Sequence, residues 1–229
     1  LSAIAGLPVV YGEWLGAPGK PTELVYGHYD VQPPDPLDLW RSKPFEPVVR
    51  DGKLFARGAV DDKGQVYMHL KAIEGHMKVH KGLPINLKLV IEGEEEVGSD
   101  HLEQFLREHR AMLDADVIVV SDTAMLGPDQ PALTYGLRGI LYTQIEVTGP
   151  AHDLHSGHFG GAVMNPANAL AVIVAALKDG DGRITVPGSY DPVRAVSAAE
   201  REVMKAIPFD EAAYLKEAGA PAPSGEKGF

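Results

Sequence analysis

The chain has 229 residues, of which 45% are apolar and 23% charged, a composition typical of a globular protein with a sizeable core. It contains no cysteine, which excludes disulfides and thiolate metal sites and is compatible with a reducing, cytoplasmic location. The formal net charge of −11 disfavours binding to nucleic-acid phosphates, and no apolar run approaches the ~20 residues of a membrane span. We therefore expect neither a nucleic-acid partner nor a membrane partner.

Short apolar runs alternate with helical patterns along the first half of the chain. Strands are predicted at 23–26, 53–56, 85–91 and 116–120. A helix is predicted over 63–81, where apolar residues recur at spacings of three and four, and a second helix is predicted to begin at Ser99 as its N-cap. This alternation predicts an α/β fold whose sheet is at least partly parallel.

The character of the sequence changes near residue 137. Residues 140–147 alternate between apolar and polar side chains, as in a half-exposed antiparallel strand. An Ala- and Val-rich helix is predicted to begin at Pro166, and two short helical patches follow residue 195. We therefore place a domain boundary here and predict one domain at 1–137 and another at 138–229.

Polar clusters follow apolar strands, or their extensions, at four places. They lie at 27–30, 61–62, 92–96 and 121–122. Ligands of open α/β sheets bind beyond the carboxyl ends of the strands, so these clusters are expected to share one crevice. One histidine and several carboxylates placed together require a cation between them. Carboxylate and imidazole ligands suit zinc or manganese, and a pair of such ions is a hydrolase arrangement.

Each cluster also has a purely structural explanation when it is taken alone. A histidine after a strand, such as His28, is more often a loop or core residue. Asp61 and Asp62 can cap the helix that follows them. The acids at 92–96 can form a solvated loop, and Asp122 can be a turn residue. The combination of all four clusters favours the metal site.

Six motifs in these regions resemble those of the M20 metallopeptidases, in particular the branch of cytosolic nonspecific and carnosine dipeptidases. The motifs are YGHYDVQP (26–33), ARGAVDDKG (56–64), EGEEEVGS (92–99), VSDT (120–123), YGLRG (135–139) and DLHSGHFGG (153–161). The resemblance implies a three-layer α/β catalytic domain with a mostly parallel sheet at 1–137. It also implies the start of a smaller α+β lid and dimerisation domain at 138–229.

The resemblance further implies a site for two divalent metal ions, zinc or alternatively manganese. His28 and Asp122 would bind the first ion, and Glu96 would bind the second. Asp61 would bridge the two ions, and Asp30 would orient His28 through a hydrogen bond.

The same resemblance implies roles for two catalytic residues. Glu95 would act as general base toward the attacking water. His155 would reach the active site of the other subunit and polarise the scissile carbonyl. A cis peptide bond between Asp61 and Asp62 is also implied.

The function implied is metal-dependent hydrolysis of dipeptides or short peptides. Relatives have a further histidine ligand near the end of a longer chain, whereas this sequence has no histidine after His158. We therefore expect an incomplete chain that is inactive by itself, and a homodimer through the lid domain in the full-length protein. The alternatives are another M20 activity (aminoacylase, deacylase or carboxypeptidase) and a non-catalytic dimerisation or binding product.

Overall fold

A computed structural model describes residues 6–127 and 129–227. The chain divides into two compact units, Leu1–Arg138 and Gly139–Phe229. The strands of the first unit are β1 (Val10–Trp14), β2 (Thr22–His28), β3 (Val48–Arg50), β4 (Lys53–Phe55), β5 (Asn86–Glu92) and β6 (Val117–Val120). Its α-helices are α1 (Lys63–His80), α2 (Leu102–Glu108) and α3 (Arg110–Leu113), and short 3-10 turns lie at Leu37–Leu39 and Glu95–Val97.

The main sheet of the first unit has four strands in the order β1-β5-β2-β6. β2 runs parallel to both β5 and β6, and β1 pairs antiparallel with β5 at the edge. The predicted mostly parallel sheet is therefore confirmed. β1 was not predicted, because its five residues include a glycine and a charged side chain and become a strand through pairing with β5. β3 and β4 form a separate antiparallel pair.

Helices cover both faces of β2, as a three-layer α/β fold requires. Leu24 belongs to a buried apolar cluster with Phe105 of α2. Gly27 points to the opposite face, because side chains alternate along a strand. A Cβ on Gly27 would lie 2.5 Å from Val66 Cγ2 of α1, so glycine permits the close approach of this helix.

The helical region after β5 differs from the prediction in two respects. Ser99 is not an N-cap: it has a φ of 53°, and its hydroxyl donates a hydrogen bond to Glu92. The N-cap residue of α2 is His101, which directly precedes the helix. The non-helical backbone of His109 separates α2 from α3. The predicted single helix is therefore two short ones.

The described part of the second unit is helical. Its helices are α4 (Ser156–Phe159), α5 (Pro166–Ala176), α6 (Ala198–Lys205) and α7 (Glu211–Ala218). The strand predicted at 140–147 is wrong, since these residues have no regular secondary structure. A strand needs a neighbour to pair its backbone groups, and the second unit contains no strand among its described residues. Within the described residues, no helix is both long and apolar enough to cross a membrane.

Candidate metal centre

Three of the four polar clusters lie at the carboxyl ends of parallel strands. His28 and Glu92 are the last residues of β2 and β5, and Asp122 comes two residues after β6. The fourth cluster is not at the end of a strand of the main sheet. Asp61 and Asp62 instead lie directly before α1. The peptide bond between Asp61 and Asp62 is cis, as the resemblance implies.

The His28 imidazole is the centre of the cluster and is fully buried. Its Nε2 lies 3.1 Å from Asp61 Oδ1 and 3.7 Å from Asp122 Oδ2. One ligand atom from each of the three residues falls within 4.8 Å of the others. This is a compact set of one nitrogen donor on a buried side chain and two oxygen donors on carboxylates that are open to solvent.

Two carboxylates form hydrogen bonds with His28 at atoms other than Nε2. Asp30 Oδ1 lies 3.0 Å from His28 Nδ1, and since a carboxylate only accepts, Nδ1 carries a proton. By the same argument Nε2, which lies 3.1 Å from Asp61 Oδ1, also carries a proton in this structure, and a bound cation would take the place of that proton. Asp62 is buried, and its Oδ2 accepts a hydrogen bond from the His28 backbone N–H at 3.2 Å. Asp62 occupies the N-cap position of α1, as the capping alternative predicts, but its side chain makes no cap hydrogen bond to the helix.

The acidic loop after β5 presents its carboxylates in different ways. Glu95 Oε2 lies 3.9 Å from His28 Nε2, so this carboxylate faces the cluster. Glu96 donates its backbone N–H to Asp30 Oδ2 at 3.0 Å, while its Oε2 accepts a 2.8 Å hydrogen bond from Gln32. The expected convergence thus holds for His28, Asp61 and Asp122, and the Glu96 carboxylate lies outside that group.

Electrostatics at the cluster favour a positive charge. Burial opposes protonation of His28, but the hydrogen bond to Asp30 and nearby carboxylates outweigh it and raise the pKa of His28. Burial, followed by the charge of Asp61, raises the pKa of Asp122. Burial also raises the pKa of Glu95, with a further contribution from Asp122. Because these groups bind protons more readily than usual, a divalent cation fits this donor set.

His155 lies in the second unit, directly before α4. Its Nδ1 accepts a hydrogen bond from the Gly157 backbone N–H at 3.0 Å. The neutral ring therefore carries its proton on Nε2, and that nitrogen is a hydrogen-bond donor. The ring is exposed and lies 5.1 Å from the ring of His158.

Sequence reasoning missed two polar side chains that hold the site. Gln32 binds both the backbone carbonyl and the carboxylate of Glu96. Lys63 donates from Nζ to the carbonyl oxygen of Tyr29, between His28 and Asp30, at 2.9 Å. Both residues lie inside motifs that resemble the family, which was a signal that they have a role, but their partners depend on the fold.

Comparison with known proteins finds similarity to curated dipeptidases. The chain is 41% identical over 205 residues to the Cys-Gly metallodipeptidase dug1 of Schizosaccharomyces pombe, covering 88% of this chain and 43% of that protein. It is 40% identical over 209 residues to the human Beta-Ala-His dipeptidase, covering 90% of this chain and 41% of that protein. The chain thus spans less than half the length of these curated relatives.

A solved structure extends the similarity to the fold. The M20 family metallo-carboxypeptidase Sso-CP2 from Sulfolobus solfataricus matches with a TM-score of 0.74 and 34% identity, covering 97% of this chain and 50% of that one. The model of peptidase family M20/M25/M40 matches residues 24–215, a range that contains the whole cluster around His28. From this match and the mostly parallel sheet that carries the cluster, we conclude that the chain belongs to peptidase family M20/M25/M40.

Proposed function

We propose that this chain carries the metal centre of a metallopeptidase that hydrolyses dipeptides or short peptides. The observation that supports this most strongly is the convergence of His28, Asp61 and Asp122, with Asp30 behind the imidazole. In this proposal 1–137 is part of the catalytic domain, and 138–229 is part of a lid and dimerisation domain. The similarity to two dipeptidases supports the substrate class.

His28, Asp61 and Asp122 would hold a first divalent ion, and Asp61 with Glu96 would hold a second. A bound ion of this kind supplies Lewis acidity and makes water easier to deprotonate. One imidazole and several carboxylates are compatible with zinc and with manganese. Asp30 would keep the His28 Nε2 lone pair directed at the ion by accepting a hydrogen bond from the Nδ1 N–H.

Glu95 would be the general base. Its carboxylate faces His28 without a hydrogen bond to it, and burial raises its pKa toward the range in which proton transfer is efficient. Glu95 would take a proton from the water that attacks the peptide carbonyl. It would then deliver that proton to the leaving amine, so that it ends the cycle ionised as it began.

His155 would donate a hydrogen bond to the oxygen of the scissile carbonyl as negative charge develops there. The support for this role is the Gly157 N–H on Nδ1, which leaves the proton on Nε2. A neutral donor of this type strengthens its interaction as the carbonyl becomes an oxyanion. In the full-length protein we expect it to act across a homodimer formed through the lid domain.

A carboxypeptidase activity is the second candidate, because the chain resembles the solved metallo-carboxypeptidase Sso-CP2. Hydrolysis of Cys-Gly and β-Ala-His, compared with release of the last residue from longer peptides, separates the two. The assay uses a longer form of the protein that spans the full length of its relatives. This protein is treated with a chelator and then resupplied with Zn²⁺ or Mn²⁺. Turnover that survives chelation, or that is unaffected by Glu95→Gln, would contradict the proposal.

The 229 residues by themselves are expected not to turn over dipeptides. Their donors to the second ion would be Asp61 and Glu96 alone, since the sequence has no histidine beyond His158. Two carboxylates without an imidazole form a weak site for a borderline ion such as Zn²⁺. Metal analysis should therefore find at most one firmly held ion per chain, and two firmly held ions with measurable turnover would contradict this expectation.

A further inference from the structure

The side chain of Glu92 is a buried carboxylate that the proposed mechanism does not use. Glu92 is 2% exposed and ends β5, at the start of the acidic loop 93–98. Its Oε1 accepts a 2.5 Å hydrogen bond from the Tyr26 hydroxyl and a 2.9 Å hydrogen bond from the Ser99 hydroxyl. A buried carboxylate persists only when hydrogen bonds replace its lost hydration, and these two hydroxyls provide that replacement.

The three residues join both ends of the acidic loop to the neighbouring strand. Glu92 precedes the loop, Ser99 follows it, and Tyr26 lies on β2, which pairs in parallel with β5. The Ser99 backbone N–H also donates to the Glu94 carbonyl at 2.7 Å, which closes the turn.

The loop held in this way carries Glu95 and Glu96. Its start fits tightly beneath an aromatic ring, since a Cβ on Gly93 would lie 2.4 Å from the Tyr29 hydroxyl oxygen. Its far side is attached through the Glu96 backbone N–H, which donates to Asp30 at 3.0 Å. We therefore expect a change at the base of the loop to shift both glutamates relative to His28.

We propose that Tyr26, Glu92 and Ser99 form a hydroxyl–carboxylate–hydroxyl clamp that positions the acidic loop against the metal centre. They are positioning residues, which act through Glu95 and Glu96 and touch neither substrate nor ion. The consequence for catalysis depends on the proposed function. The clamp itself does not depend on it and can be tested separately.

Hydrogen exchange of the backbone amides of the 229-residue chain tests the clamp, and this measurement requires no enzymatic activity. The variants are Tyr26→Phe and Ser99→Ala, which each remove one hydroxyl from Glu92. The matched control is Tyr11→Phe on β1, because the Tyr11 hydroxyl likewise binds a glutamate, Glu13, and its ring packs on the same core. Exchange of the hydrogen-bonded amides at 96–99 should become about tenfold faster in each clamp variant, as expected for loss of one hydrogen bond to a charged group.

The location of the effect distinguishes positioning from a general loss of stability. Amides of β5 should exchange at the wild-type rate in the clamp variants, and the control should leave the loop unchanged. Loop exchange within twofold of wild type in both clamp variants, or equal acceleration in loop and strand, would overturn the proposal. Ser99→Ala keeps the test valid if Tyr26→Phe does not fold.

The catalytic test is to measure kcat and KM for a longer form of the protein that spans the full length of its relatives. Tyr26→Phe should lower kcat about 10- to 100-fold with little change in KM, since a small displacement of the general base affects the transition state rather than substrate binding. An unchanged kcat would overturn the catalytic part of the proposal. If even the wild-type protein shows no hydrolysis, the proposed function fails, while the exchange experiment still decides whether the clamp exists.

Discussion

Asp30→Asn is expected to weaken binding of the first metal ion without unfolding the protein. Asp30 accepts two hydrogen bonds at 3.0 Å, one from His28 Nδ1 through Oδ1 and one from the Glu96 backbone through Oδ2. Asparagine has one acceptor and one donor group, so it can satisfy only one of these contacts. The other contact becomes a pair of facing donors.

The magnitude follows from that geometry. Whichever way the asparagine amide turns, the bond from the buried His28 Nδ1 to a charged acceptor is either lost or replaced by a weaker bond to a neutral oxygen, and hydrogen bonds to charged groups are worth about 1.5–3 kcal/mol. At 1.4 kcal/mol per factor of ten, the metal dissociation constant should rise about 10- to 100-fold. The same range is typical when the outer partner of a metal-binding histidine is replaced.

The assay is titration of the 229-residue chain with Zn²⁺ in competition with a chromophoric chelator. Asp38→Asn is the matched control, because it removes the same charge from an exposed side chain of the first unit. Thermal unfolding of both variants tests whether the fold is retained. Zinc affinity of Asp30→Asn within twofold of wild type, with an unchanged melting temperature, would refute the proposed orientation of His28.

Three further predictions concern protons, chemistry and packing. Metal affinity should fall as the pH decreases through the raised pKa of His28 and then through that of Asp122, because protons compete for both ligand atoms. Zinc titrations at stepwise decreasing pH measure this, and a constant affinity would count against the site. In a form as long as the relatives, Glu95→Ala should abolish dipeptide turnover while the metal content stays unchanged, and near-normal turnover would show that Glu95 is not the base. Gly27→Ala should lower the free energy of unfolding by about 1–3 kcal/mol, because the new Cβ would overlap α1. Gly12→Ala on β1 is the control, since a Cβ there meets no atom within 4 Å. Equal urea midpoints for the two variants would contradict the packing argument.

Four of the six strands of the first unit (β2, β4, β5 and β6) and the first long helix could be predicted from the sequence. The predicted helix at 63–81 is observed as Lys63–His80, and the predicted strand at 85–91 as Asn86–Glu92. Both signals are local, because the periodicity of apolar side chains reflects which face of an element is buried. The position of His28 at the end of an apolar strand was equally visible, since a parallel sheet directs such ends to one edge.

Contacts between distant segments decided the remaining features. Residues 140–147 alternate like a strand, but alternation does not produce a strand when no neighbour is present to pair its backbone. The acids at 92–96 look equivalent in the sequence, yet Glu92 is buried under two hydroxyls, Glu95 faces His28, and Glu96 binds Gln32.

The sequence by itself therefore determined the α/β class, the residues at the strand ends and the family. Only the tertiary structure decided which carboxylates face the imidazole and which hold the framework. The physical reason is that the direction and environment of a carboxylate depend on donors far away in the chain, such as Gln32 for Glu96 or Tyr26 for Glu92. Local periodicity carries no information about those donors.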